Sequence, residues 1–417
     1  MIENYNFNID KISNLSPKEK SIRKKSLDIF LQSGFPNKKL EDWKFTDLNS
    51  LISKNFQKLT NIEKFNIDKK LKLLNNFQHN YVYLINGKMN SYNFNYEEKD
   101  KIIINHYDNS NRNEHKPLNS LNILNDALAI DGFYLEVKEN YKLKKPLVIY
   151  NFFSNELKDV IISNKNFIKI NKGSSVDLIE YTLDDSDNCF IKNTTEQINL
   201  DEGSNLNYFI LQGSKCNNFF YKLIKGKLKK NSNFNNYILT SGLKFNKIEF
   251  DIELNDDNSN CEIYSALSLT EKDHQEIKTL IAHNSPYCRS YQVIKSVLND
   301  QSKGVYQGKI YVKNQAQKTN AYQLSKTLIL NDKSEFNAKP ELEIYADDVK
   351  CSHGSTSGSI DENSIYYLMT RGISEIDAKK LLIKGFLADV LEKVKNQEIK
   401  MLFEENLERQ VNGNWKY

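Results

Sequence analysis

The apolar positions of this chain change their spacing twice. Near the N-terminus they recur at helical intervals, with Ile22, Leu27, Phe30 and Leu31 marking one face of a segment that opens on Ser16-Pro17-Lys18-Glu19 and stops at Gly34. A serine N-cap, proline at the first helical position and glutamate three residues after the cap together suit the unpaired amides of a helix start. Glycine readily takes the left-handed conformation that ends one. Asp42-Trp43-Lys44-Phe45-Thr46-Asp47-Leu48 follows and is expected to dock through Trp43 and Phe45. Tyr81 to Ile85, before Asn86-Gly87, reads as a short strand and turn.

From about Gly132 the spacing becomes two. Leu147-Val-Ile-Tyr150, Phe167-Ile-Lys-Ile170 and Val176-Asp-Leu-Ile-Glu-Tyr181 alternate as strands do. One phrase recurs among them, a strand, a polar turn containing Gly, Ser or Asn, and another strand. It reads Asn171-Lys-Gly-Ser-Ser-Val-Asp-Leu178, then Asp201-Glu-Gly-Ser-Asn-Leu-Asn-Tyr208, Lys230-Asn-Ser-Asn-Phe-Asn-Asn-Tyr237 and Asp257-Asn-Ser-Asn-Cys-Glu-Ile-Tyr264. The first apolar residues after these turns are Val176, Leu206, Phe234 and Cys261, spaced by 30, 28 and 27 residues. A near-regular period of this size marks stacked coils, because one unit cannot bury its apolar face without a neighbour. No helix-length pattern separates the strands, which argues against βαβ units. A β-helix is therefore favoured over a doubly wound sheet, with an antiparallel β-sandwich as the alternative.

The tail returns to helix. Ile365, Leu368 and Met369 precede Gly372, and Ser374-Glu-Ile-Asp377 resembles a second capping box. Leu381, Leu382, Phe386, Val390, Leu391 and Val394 are expected to trace one apolar face, and a third helix carries Ile399, Leu402, Phe403 and Leu407. Such a tail either caps the open end of the β-helix or presents a face to a partner. Three regions result: 1–130 helical with short strands, 131–360 the β-helix core, and 361–417 helical.

Composition narrows the function more than the fold. Lys and Arg number 58 against 54 Asp and Glu, a net charge of +4 without a concentrated basic stripe, so nucleic-acid binding is not indicated. The densest lysine runs, Lys142 to Lys145 and Lys225 to Lys230, suit solvated strand edges or turns. No apolar run approaches the roughly 20 residues a membrane span needs, and Met1 to Asp10 has no secretory pattern. Five widely spaced cysteines do not form a disulfide framework, and a reducing cytoplasm is the expected compartment. The phosphate-binding loop, the dinucleotide glycine fingerprint, the His-Glu-x-x-His pair, the Gly-x-Ser-x-Gly elbow and Cys-x-x-Cys are all missing.

Cys351-Ser352-His353-Gly354 remains as candidate chemistry. If a strand runs from Glu341 through Val349 to His353, Cys351 and His353 share a face, separated by roughly 6.6 Å of rise. Thiolate and imidazole both suit iron. Two ligands fall short of the four a stable cluster takes, so a cluster here needs a partner's ligands. A buried cysteine beside a hydrogen-bonded histidine gives the same pattern. Cys261 occupies a core position of the repeat, and Cys189 and Cys216 read as structural. His283 with Cys288 reads as a turn at Pro286 with a satisfied histidine. Asp347 and Asp348 point to opposite sides of the expected strand, which speaks against a carboxylate pair, and Asp184 and Asp185 read as loop charges.

The string Lys339-Pro-Glu-Leu-Glu-Ile-Tyr-Ala-Asp-Asp-Val-Lys-Cys-Ser-His-Gly-Ser-Thr-Ser-Gly358 resembles the SufB/SufD family, on its SufD side, and the likeness continues through Tyr366-Tyr-Leu-Met-Thr-Arg-Gly-Ile373 to Gly385-Phe386. His283-Asn-Ser-Pro286, Val305-Tyr-Gln-Gly-Lys-Ile310, Ala316-Gln-Lys-Thr-Asn-Ala-Tyr-Gln323 and Glu41-Asp-Trp-Lys-Phe-Thr46 are similar to further family segments. Tyr345, Ser355 and Asn320 depart from the family pattern without touching Cys351 or His353. The resemblance implies a right-handed parallel β-helix between helical regions, and a non-catalytic scaffold of iron–sulfur cluster assembly with a link to iron acquisition. It implies pairing with SufB, and SufC ATPase attached through the C-terminal helices. A nascent cluster would be held transiently at the partner interface by His353, with Cys351 as the neighbouring candidate. A flavin is expected in the assembled complex and no cofactor on the chain alone. Two alternatives stand beside this reading, a carbohydrate-active β-helix enzyme and a homodimeric SufB-like scaffold; a homodimer is also considered for the isolated subunit.

Overall fold

The computed structural model describes residues 5–12, 15–61, 73–107, 119–184, 189–213 and 216–414. Two sheets dominate, one of eleven strands and one of ten. From Leu147–Phe153 to Lys350–Gly358, consecutive strands alternate between the sheets, and each pairs in parallel with the strand two further on. The chain therefore winds as a parallel β-solenoid, not as a sandwich. The repeat read from the sequence is a physical ladder, in which Val176 pairs with Leu206, Leu206 with Phe234 and Phe234 with Cys261.

The turns explain why the period holds. Gly173, Gly203, Asn231 and Asn258 all have positive φ, between 57° and 68°. Glycine and asparagine tolerate that region best. The serine after each is buried, and three of them tie the turn back three residues, Ser204 Oγ donating to Asp201 O at 2.7 Å, Ser232 Oγ to Lys229 O at 2.6 Å and Ser259 Oγ to Asp256 O at 2.9 Å. The same device continues at Tyr287-Cys288 and Lys318-Thr319, where the left-handed residues have φ of 59° and 61° and Thr319 Oγ1 donates to Ala316 O at 2.8 Å.

Inside the coils, alternation buries an apolar core that includes Leu178, Ile210, Ile238 and Ile263. A charged group interrupts it. Glu180 is paired with Lys222 and, at 3.3 Å, with Lys192, while Lys222 also reaches Glu196 at 3.4 Å and Tyr208 Oη at 2.5 Å. Burial alone would push the Glu180 carboxyl up, but the Lys222 and Lys192 charges hold it well below the usual carboxylate range.

The helical regions cover the two outer faces. At the N-terminus, α1 (Pro17–Ser33) has its full capping box, with Ser16 N–H donating to the Glu19 carboxylate at 3.0 Å, and Gly34 stops it at φ 68°. Leu27 and Phe30 are buried, whereas Ile22 lies at the surface, 36% exposed. With α2 (Leu48–Asn55) and α3 (Ser120–Leu128), α1 packs against Phe219, Tyr221, Leu223 and Phe245 of the eleven-stranded sheet. Trp43 is buried there as expected, with Lys247 Nζ 3.8 Å from its ring centre. Asn80–Ile85 and Lys88–Asn93 form the expected hairpin around Asn86-Gly87.

At the C-terminus, α4 (Glu362–Thr370) buries nothing, whereas α5 (Glu375–Ala388) and α6 (Gln397–Asn414) lie on the ten-stranded sheet. Ile383, Leu387, Val390, Leu391, Val394, Ile399, Leu402, Phe403 and Leu407 meet Phe209, Tyr237, Tyr264 and Val297. The face expected for α5 is corrected at Leu381, which is 49% exposed, because the stripe touching the sheet runs through Ala378, Ile383 and Leu387 and is narrower than the apolar residues available. This packing runs along the sheet, and among the described residues it does not close the end of the solenoid. Glu335–Ile344 and Lys350–Gly358 remain edge strands of their sheets, and none of their residues is fully buried. No helix among the described residues is long and apolar enough to cross a membrane.

Candidate functional site at the open coil

The ladder through Cys261 continues to Ser290, Ala321 and finally Cys351. Cys351 is therefore the last rung of the same inward row, half-buried against Ala321, Val349 and Leu342. Burial raises its thiol pKa, and a hydrogen bond from the Ala321 backbone works against that rise. His353, two residues on, pairs in register with Gln323, which pairs with Gln292 beneath it. Alternation thus places Cys351 and His353 on one face, as the spacing implied. The connection leading to them differs from expectation. The strand ends at Ile344, residues 345–349 form a bend, and Lys350–Gly358 belongs to the other sheet.

That bend also relocates Asp347 and Asp348, which lie in it and not in a strand. Asp348 N–H donates to Gln317 Oε1 at 2.9 Å, its carbonyl accepts from Lys318 N–H at 2.6 Å, and its carboxylate pairs with Lys318. It anchors the last turn, because a corner has backbone groups that no sheet neighbour satisfies.

Beneath His353 the interior is held by side chains. Tyr306 Oη donates to Gln323 Oε1 at 2.9 Å, and Gln323 Nε2 donates to Glu341 O at 3.2 Å. Gly308 makes room for this contact, since a Cβ there would come within 2.1 Å of Gln323 Oε1 and 2.2 Å of Tyr306 Oη. Gln323 and Tyr306 are fully buried, while His353 is exposed and has no hydrogen-bond partner among the described residues. The arrangement is an imidazole above a fixed amide floor, with a thiol on the same face and an unpaired strand edge beside it. No group of three or more His, Cys, Asp or Glu among the described residues is placed to hold a metal ion.

The remaining candidates have structural places. Cys261 is fully buried. Cys189 donates to Asn217 O at 2.9 Å. Cys216 opens a strand, but its side chain lies outside the described residues, as do Asp185 and the side chain of Asp184. His283 and Cys288 do not come together, and the satisfied histidine expected there is corrected: His283 is bonded through one ring nitrogen, and its buried Nδ1 has no partner among the described residues. His283 Nε2 lies 2.9 Å from Ser290 Oγ, and burial pushes its pKa down to about 3. Cys288 lies 3.2 Å from Ser259 Oγ and donates to Asp256 O at 3.3 Å. It occupies the buried position that serine or threonine fills in the other turns, a role that the Tyr287-Cys288 spelling concealed.

One feature had no separable signal in the sequence. On α4 and α5, Tyr366 (70% exposed), Tyr367, Met369, Ile376 and Leu381 form a largely uncovered apolar surface. Helical periodicity marks such residues as apolar without saying whether the fold covers them.

Comparison with known proteins agrees with this architecture. Residues 152–386 match the family model described as the SUF system FeS cluster assembly SufBD core domain, and residues 2–149 match the SufBD protein N-terminal region. The iron–sulfur cluster assembly protein SufD of Escherichia coli is 37% identical over 148 residues, 36% of this chain and 35% of that protein. A SufBD family iron–sulfur cluster assembly protein of Synechocystis is 25% identical over 279 residues, covering 65% of this chain and 62% of its own length. The SufD of Bacillus subtilis is 33% identical over 137 residues, 33% of this chain and 31% of that protein. The chain thus spans less than two thirds of each of these relatives. With a core match covering more than half of its residues, the chain belongs to the SufBD family of the SUF iron–sulfur cluster assembly system.

Proposed function

We propose that the chain is a SufD-like, non-catalytic scaffold whose open coil supplies half of a cluster-assembly site. The observation that carries this reading is His353, an exposed imidazole without a partner among the described residues on the inward row of an uncovered coil. Its Nε2 or Nδ1 would ligate iron, and the Cys351 thiolate is the neighbouring soft ligand. The cluster is cargo, and because two ligands bind it weakly, the remaining ligands come from the partner that covers the coil. SufB fits that place, since uncovered edge strands favour a partner offering matching ones. The α4–α5 surface around Tyr366 and Tyr367 is the proposed seat of the SufC ATPase, because an apolar patch of this kind marks protein contact. Iron acquisition and flavin binding in the assembled complex belong to the same reading, and neither has a residue assigned on this chain.

The test is His353→Ala in the chain co-produced with SufB and SufC. The complex should still assemble on size-exclusion chromatography while the visible absorption of the bound cluster is lost. Undiminished cluster absorption in an intact complex would remove His353 from the ligand set.

A further inference from the structure

Away from the open coil, a groove of about 840 Å³ runs across the outer face of the ten-stranded sheet. Its floor includes one ladder row: Lys142, Ser175, Asn205, Asn233, Asn260 and Arg289, each bridged in register to the next. Cations therefore stand at Lys142 and Arg289, with Ser175 and three asparagines between them, and the row runs on past Arg289 to Asn320. Five rung spacings place Lys142 and Arg289 roughly 24 Å apart, about the length of seven extended residues. The crossing segment Lys393 to Asn396 forms one wall, fixed by Tyr237 Oη donating to Lys393 O at 3.2 Å and Asn396 Nδ2 donating to Asp177 Oδ2 at 3.2 Å.

The charges are unevenly satisfied. Asp177 accepts from Asn207 at 2.7 Å as well as from Asn396, and Glu262 accepts from Tyr264 Oη at 2.9 Å. Lys142, Arg289, Lys393 and Lys395 make no ion pair among the described residues. The groove is thus prepared for negative charge at Lys142, at Arg289 and along one wall. Its floor is unsuited to a polyphosphate, which offers acceptors only. The Asn205, Asn233 and Asn260 amides present acceptors as well as donors, and Asp177 and Glu262 would repel phosphate. An extended peptide backbone supplies both N–H and C=O along its length, and acidic side chains would meet the four cations.

We propose that this groove binds an extended acidic peptide segment of a partner protein, about seven residues long, with carboxylates near Lys142 and Arg289. The proposal stands independently of the cluster-site reading.

The test is fluorescence anisotropy with the full chain and a labelled eight-residue peptide of alternating Glu and Ala. Binding should weaken as salt is added, and it should fall about tenfold in K142Q/R289Q, which removes two exposed charge contacts. Asn233→Leu keeps every cation and should also weaken binding, because the central amide contact to the peptide backbone is gone. Matching thermal melts would show that both variants remain folded. Equal binding of the Gln-for-Glu peptide, or unchanged affinity in K142Q/R289Q, would overturn the proposal. So would inorganic triphosphate that binds more tightly than the peptide and displaces it.

Discussion

Cys261 and Cys351 stand on the same row of the solenoid, three rungs apart, and differ in what lies beside them. Cys261 has Phe234 on one side and Ser290 on the other, and burial lifts its thiol far above the ordinary range. Cys351 has Ala321 on one side and, among the described residues, no strand on the other. The histidines repeat the contrast. His283 is sealed inside and bonded to Ser290, while His353 reaches solvent from the last coil. The cysteines share one row and the histidines stand in different sheets, yet residue type and inward facing are the same in each pair, so coverage by a further coil decides between inert core and available chemistry. The two helical regions seal the outer faces of the middle coils, whereas on the last coil Glu41 pairs with Lys339 and no residue of its two strands is fully buried, which concentrates availability there.

The largest expected effect lies in the sealed row. Phe234→Ala should cost about 3–5 kcal/mol, because neighbouring coils cannot collapse into the cavity without breaking register. Urea denaturation followed by circular dichroism measures it. A loss under about 1 kcal/mol would mean that the row is not a rigid core.

A smaller effect should appear with pH at His283. Its pKa is down to about 3 in the fold against an ordinary 6.5, because burial disfavours the charged ring. The fold therefore favours the neutral form. The stability tied to that form is complete above about pH 6.5 and is lost as pH falls towards 3, at roughly 1.4 kcal/mol per pH unit. Unfolding free energies at pH 7 and pH 5 should differ by about 2 kcal/mol more in the wild type than in His283→Gln. Glu276 does not confuse this window. Burial raises its carboxyl pKa, but Lys247 and His274 outweigh that and hold it at about 2, so its contribution is lost only below the ordinary carboxylate range. An equal pH response in both proteins would show that His283 is not held neutral by the core.

The extent to which the fold could be read from the chain follows from the same physics. Turns with Gly or Asn before a buried serine spell their conformation, so the coils from Val176 to Cys261 were legible by spacing. Tyr287-Cys288 and Lys318-Thr319 adopt the same turn with residues that do not advertise it, so the repeat faded there although the ladder continues. Cys351 and His353 were legible as a same-face pair because a period of two needs no tertiary knowledge. The bend at 345–349 was not, since Ile344 and Lys350 belong to different sheets and alternation alone does not mark a corner. The groove that carries Lys142 and Arg289 was hidden for another reason. From Lys142 to Arg289 its row collects residues from six separate coils, and Lys142 precedes the recurring phrase altogether.

The smallest effect on stability, and the sharpest test of the comparison, is at Cys351. With one rung beside it and solvent at the open edge, Cys351→Ala should change stability by less than about 1 kcal/mol. The thiol itself should behave quite differently from that of Cys261. Iodoacetamide treatment of the folded chain, followed by peptide mapping, should label Cys351 and leave Cys261 unmodified until denaturant is added, since the thiolate must be both formed and reachable. Binding of a protein over the last coil should then protect Cys351, converting it to the condition of Cys261 by supplying the missing neighbour. Protection by SufB, with no protection by SufC alone, is the expected pattern. Labelling of Cys351 at the same rate with and without SufB would mean that the open coil is not where the two chains meet.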